Sequence, residues 1–186
     1  MMNNYKKLKL ILLAILAFSV LTTACDDQQV LEANKLVDSA NKKMNDAKPL
    51  VTAAGDKFGK ISDDVKDFEA SKKAHDGELK ELAKSYDQIL ELYKGATADF
   101  TQAAKLSKDE TFKAYYEMSA KDVENTAALI TQNKLLTQAF ADSKTIDEYS
   151  KRIDEIKTKN EAITKEGDDI TAKLKKLEEA VNAKNK

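Results

Sequence analysis

The chain has no tryptophan, one cysteine, one histidine, one proline, one arginine and five glycines in 186 residues. Each scarcity removes a class of chemistry. One cysteine allows no internal disulfide and no cysteine-based zinc site. One histidine cannot furnish the paired imidazoles of a zinc protease or a di-iron bundle. Five scattered glycines build no phosphate-cradling loop, and no Gly-x-Ser-x-Gly stretch presents a hydrolase nucleophile. With Arg152 the single arginine against thirty lysines, the planar fork used for bidentate phosphate recognition is nearly missing. No segment alternates apolar and polar residues in steps of two between turns, as a half-buried strand does. No cofactor is implied by any motif, and these absences point away from an enzyme.

What is present begins at the N-terminus. Residues 1–9 hold Lys6, Lys7 and Lys9 and no acid, and Leu10–Leu21 is a twelve-residue apolar run. A basic start, a short apolar stretch and small residues before a cut make a secretory signal. A spanning helix needs about 20 apolar residues, so this run is too short for one. Thr22, Thr23 and Ala24 follow, and then the only cysteine, Cys25.

The stretch Leu21-Thr22-Thr23-Ala24-Cys25 resembles the lipobox of bacterial lipoproteins, in which an apolar residue and two small residues precede a lipidated cysteine. In this chain the apolar residue stands four before the cysteine rather than three, and Thr22 takes its usual place. Thr22-x-Ala24 also suits an ordinary secretory cut, which is the alternative. The resemblance covers residues 1–25. It implies a signal peptide over 1–24, diacylglycerol and an N-acyl chain such as palmitate on Cys25, and export to the periplasmic or outer side of a bacterial membrane. Asp26 and Asp27 resemble the enterobacterial signal for retention at the inner membrane. Removing residues 1–24 takes away three lysines and no acid, so the formal charge falls from −1 to −4. A mildly acidic protein has no general attraction for nucleic acid.

The remaining sequence reads as helix. Val30, Ala33, Val37, Ala40, Met44, Ala47, Val51, Ala54, Phe58, Ile61, Val65 and Phe68 step by three and four, the seam of a helix that faces a partner helix. The register resumes at Leu79, Leu82, Tyr86, Ile89, Tyr93, Ala96, Phe100 and Ala103, with Lys72 and His75 on core positions between the blocks. Asp76-Gly77 beside them predicts a hairpin turn near residues 74–77. Ser107-x-x-Glu110 and Thr145-x-x-Glu148 read as capping boxes that open two further helices. The helix between them has a broad, drifting stripe, and the last runs strictly through Ile146, Tyr149, Ile153, Ile156, Asn160, Ile163, Gly167, Ile170, Leu174, Leu177 and Val181. Pro49 predicts a kink or break. The expected architecture is therefore all-α: an elongated antiparallel bundle over residues 50–186, of four helices or three longer ones. Residues 25–49 are expected to form an anchored segment with a helical arm, whose alanine column either packs within the chain or, with no helix left to cover residues 28–48, pairs with another copy or another protein.

Candidate chemistry is thin. His75, Asp76 and Glu78 are conceivable metal ligands, set against a plain turn histidine in solvent. Asp63-Asp64, Asp168-Asp169 and Glu178-Glu179 point about 100° apart on a helix and cannot converge as an acid–base pair. Tyr115, Tyr116 and Met118 either line an apolar pocket or are simple core. Asn160 and Gly167 interrupt an apolar stripe, either to fix helix register or to face a small cavity. No catalytic, cofactor or metal residue is assigned. The function expected is a non-catalytic helical spacer or interaction module, bound to the membrane through Cys25 and working with envelope proteins or by self-association. An extracytoplasmic carrier of a small apolar ligand, or an inhibitor or immunity-type protein, is the alternative.

Overall fold

The computed structural model describes residues 28–63 and 68–184, so the signal segment 1–24, Cys25, Asp26 and Asp27 lie outside the described residues. Four helices follow one another: α1 Gln28–Asp63, α2 Phe68–Leu106, α3 Glu110–Asp142 and α4 Ile146–Lys184. No strand occurs among the described residues. With 36, 39, 33 and 39 residues, they are rods of about 54, 58, 50 and 58 Å at the helical rise. Consecutive helices run antiparallel. Lys57 pairs with Glu81 at 2.7 Å while the earlier Lys43 pairs with the later Asp99. Phe140 packs on Tyr149 while the earlier Asp109 pairs with Lys184. The close interfaces are α1/α2, α2/α3 and α3/α4. The expected all-α antiparallel bundle is the observed fold.

Its boundaries differ from those read in the sequence in three places. The predicted turn at 74–77 lies inside α2. Lys72 sits on a core position because it caps the end of the bundle: its ammonium lies 5.5 Å from the Phe68 ring and donates to the Ser143 carbonyl. Asp76 pairs with Lys80 at 2.7 Å one turn on, a surface contact of the kind worth a few tenths of a kcal/mol to a helix. A Cβ on Gly77 would meet nothing within 4 Å, so the cost of the glycine is the propensity loss of about 1 kcal/mol relative to alanine. Burial of Phe68, Leu79 and Leu82 on the same helix contributes about 1.5–3 kcal/mol each, and the helix continues.

Pro49, in turn, lies within α1 and does not end it. An interior proline costs about 3 kcal/mol. Met44, Ala47, Val51 and Ala54, which flank it, are all buried, and that burial outweighs the lost hydrogen bond. The boundary expected at residue 49 therefore falls inside one helix. The alanine column Ala33, Ala40, Ala47 and Ala54 is not an open face but part of the core shared with α2. Small side chains there let the two helices approach closely. Lys43 passes over Gly95 to reach Asp99 and Ser39, and a Cβ on that glycine would stand 3.1 Å from the Lys43 Cδ.

The third difference is a cap. The N-cap of α3 is Asp109, whose Oδ1 accepts from Thr111 N at 2.8 Å and Phe112 N at 3.3 Å. Ser107 instead closes α2 through its N–H to Ala103 O at 3.0 Å. A carboxylate at a helix N-terminus is favoured by the dipole over a hydroxyl two residues earlier. At the second capping box Glu148 N–H donates to Thr145 Oγ1 at 3.2 Å, while Glu148 Oε2 accepts from the N–H of Lys144, one residue before the cap, at 2.9 Å.

A polar contact ties α3 to α4 at Asn125, beside the two interruptions of the α4 stripe. Asn125 Nδ2 donates to the Ile163 carbonyl at 2.9 Å. A Cβ on Gly167 would stand 2.6 Å from Asn125 Oδ1, which explains the glycine in an otherwise Ile/Leu stripe. Gly167→Ala is accordingly expected to cost ~1–2 kcal/mol by displacing this side chain. In an Asn125→Ala background the same change is expected to be neutral or stabilising, because alanine is the better helix former by about 1 kcal/mol. Urea unfolding of the four proteins in this double-mutant cycle tests it; equal effects in both backgrounds would refute the contact.

Candidate functional site

The sequence candidates for chemistry do not converge. His75 Nδ1 lies 2.6 Å from Glu78 Oε2, and Asp76 is engaged by Lys80 on the outer side of α2. Among the described residues no group of three His, Cys, Asp or Glu side chains is placed to hold a metal ion. Asp168, Asp169 and Glu179 are exposed and Glu178 is half-buried. The side chain of Asp63 and the whole of Asp64 lie outside the described residues. No described helix is long and apolar enough to cross a membrane.

Two places concentrate polar groups against the core. The first is the end of the bundle where α2 and α4 begin and α3 ends. Phe68, Phe140 and Tyr149 meet there with ring centroids 5.2–5.5 Å apart. Behind them Ser143 is fully buried, its Oγ and N–H both donating to the Ala139 carbonyl, at 2.6 and 3.1 Å. Lys72 spans the cluster to the Ser143 carbonyl, so a cation satisfies the orphan acceptor at the C-terminus of α3. Glu69, Lys72, Lys73, Asp76 and Lys144 line a shallow, solvent-open depression of about 550 Å³ beside it. Two carboxylates among three ammonium groups leave it little net charge.

The second place lies toward the opposite end, between α2, α3 and α4. Tyr116 is buried, with Phe112 at 6.3 Å and Tyr115 at 5.8 Å between ring centroids. These tyrosines form part of the core rather than the wall of a pocket. Burial, with the neighbouring Tyr115 second, pushes the Tyr116 phenol up to about 12. Burial and then the charge of Asp122 do the same to Tyr93, also to about 12. Tyr115 is raised by burial first and Glu178 second, while a hydrogen bond with Ser119 opposes the rise. Asp122 itself is raised by burial, since desolvation disfavours the charged carboxylate. Sequence reading missed Asp122. Its signal was its place seven residues after Tyr115 and seven before Leu129 on the drifting stripe of α3.

Neither place assembles a nucleophile, a base and an oxyanion donor. What they do is tie the helix ends and fill the interior. Compared with protein-family models, curated proteins and solved structures, the chain matches none.

A carboxyl whose folded pKa is raised destabilises the fold as pH climbs through the range where the unfolded chain gives up its proton first. Asp122→Asn is therefore expected to stabilise the protein at neutral pH. The gain should shrink to nothing as pH falls below the carboxylate range, and the alkaline onset of tyrosinate absorbance should shift down because Tyr93 loses a neighbouring anion. Thermal unfolding across pH checks the first part; a gain that persists unchanged in acid would contradict it.

Proposed function

We propose that this chain is a lipid-anchored bacterial envelope protein whose helical bundle acts as a non-catalytic spacer or protein-interaction module. The observation that supports this best is how few residues separate the lipobox-like cysteine from the described bundle. Gln28, the first described residue, already lies in α1 and stands three residues after Cys25, so the two are at most about 10 Å apart. The antiparallel register puts the start of α1, the α2–α3 connection and the end of α4 at one end of the bundle. The α3–α4 connection and the aromatic cluster lie at the other, some 50 Å away by the helical rise. An acyl group on Cys25 holds the first end at the bilayer and presents the second.

Anchoring follows from the acyl chains: each buried methylene contributes about 0.8 kcal/mol, and two or more chains hold stably. Confinement to a surface raises the effective concentration of the module near membrane partners without any new contact. The side chains that fill the interior, among them Met44, Ile61, Leu82, Ile89, Tyr93 and Phe140, suit a solid rod. Under enterobacterial-type sorting, Asp26 and Asp27 favour the inner membrane. The acidic balance of the exported chain does not favour nucleic acid as a partner.

Metabolic labelling with a palmitate analogue, together with membrane fractionation of wild type and Cys25→Ala, tests the reading. Labelled, membrane-bound, leader-free wild type and unlabelled, unanchored Cys25→Ala are expected. An intact leader on the wild type, or label retained after the substitution, would overturn it. Crosslinking of the anchored protein then separates the module from the carrier: a defined envelope protein supports the former, an extractable apolar ligand the latter.

A further inference from the structure

α4 is not held evenly along its length. The contiguous apolar core joins α1, α2 and α3 and takes from α4 only Tyr149 and Ile156, with Ile153 at its edge. Beyond Ile156 the buried apolar side chains of α4 are Ile170 and Val181, and both lie outside that core. Ile163, Leu174 and Leu177 remain half-buried. The other described ties are the Asn125 bond to the Ile163 carbonyl and the Lys184–Asp109 pair, whose side chains are 46% and 42% exposed. Exposed pairs add little to stability.

The step where the core ends is also polar. Asn125 of α3 meets Ile163 and Gly167 of α4. One heptad forward on α3 and one heptad back on α4 brings Gln132 to the level of Ile156 and Asn160. Gln132 is only 9% exposed, and its Oε1 and the Asn160 Oδ1 are both buried without a hydrogen-bond partner. Buried amide oxygens left unpaired oppose the closed state, and water satisfies them when the seam opens. Opening from the C-terminus as far as Asn160 therefore regains hydration, whereas opening further exposes Ile156 and Tyr149 and breaks the main core.

We propose that residues 157–184 of α4 undock from the α1–α3 core as one unit, with the Gln132–Asn160 step as the point where release stops. The device is a helical strap: its first third is rooted in the core and the remainder is weakly docked on α3. This inference rests on the packing alone and stands independently of the anchor.

Hydrogen exchange by mass spectrometry on the full chain, in the detergent used to extract it, tests the proposal. Amides of 158–184 are expected to exchange by opening about tenfold or more faster than those of residues 79–103, after correction for intrinsic rates. Replacing both amides, as Gln132→Leu with Asn160→Leu, is expected to slow exchange in 158–184 by about tenfold while leaving residues 79–103 unchanged. Protection in 158–184 equal to that of α2 would overturn the proposal. So would a double substitution that leaves exchange in 158–184 unchanged or speeds it, the latter meaning that the two amides hold the helix by bonding each other.

Discussion

Alanine at every seventh position of α1 lets its backbone settle closely onto α2, and the rest of the bundle depends on that contact. Ala33, Ala40, Ala47 and Ala54 are all buried, and Val37, Met44 and Val51 between them, with Phe58 and Ile61 beyond, fill the seam. The seam is continuous across Pro49, so the helix holds there despite the missing backbone donor. Burial of several large side chains at roughly 1.5–3 kcal/mol each exceeds a proline penalty of about 3 kcal/mol. A hairpin built this way gives α3 a rigid surface to pack on, and α3 gives one to α4.

Charged and polar groups then finish what the apolar stripe starts. At one end of α3 the Asp109 carboxylate caps the helix, and Lys184 reaches it from the last turn of α4 at 2.6 Å, holding its carboxyl below the usual range. At the other end Lys72 satisfies the Ser143 carbonyl. Both contacts join residues distant in sequence and complement the helix dipole. They close the ends of the rod. The α1/α2 seam is filled by apolar side chains, whereas the α3/α4 seam carries the amides of Asn125, Gln132 and Asn160.

The heptad spacing made the helical class, the antiparallel arrangement and most of the core legible in the sequence. Positions from Ala33 to Ile61 and from Leu79 to Ala103 are buried as their spacing requires. The start of the last helix was legible at Thr145–Ile146, because Thr145 and Glu148 form a local cap whose partners are all within four residues. The turn at 74–77, the break at Pro49 and the cap at Ser107 were misread. At the first two, a local signal of about 1–3 kcal/mol was opposed by contacts with residues tens of positions away; at the third, the Asp109 carboxylate two residues on took the cap.

Spacing, caps and composition by themselves determined that this chain makes long helices with one apolar face, and that it has too few histidines, cysteines and clustered glycines for the common catalytic and metal sites. Only the tertiary structure decided where those helices stop, which polar residues are tolerated inside, and why. Lys72 is a bundle cap only because Ser143 is beside it, and a side chain at Gly167 is disfavoured only because Asn125 lies over it. Such roles belong to pairs of residues, and the partner is chosen by how whole helices pack, which no local pattern encodes.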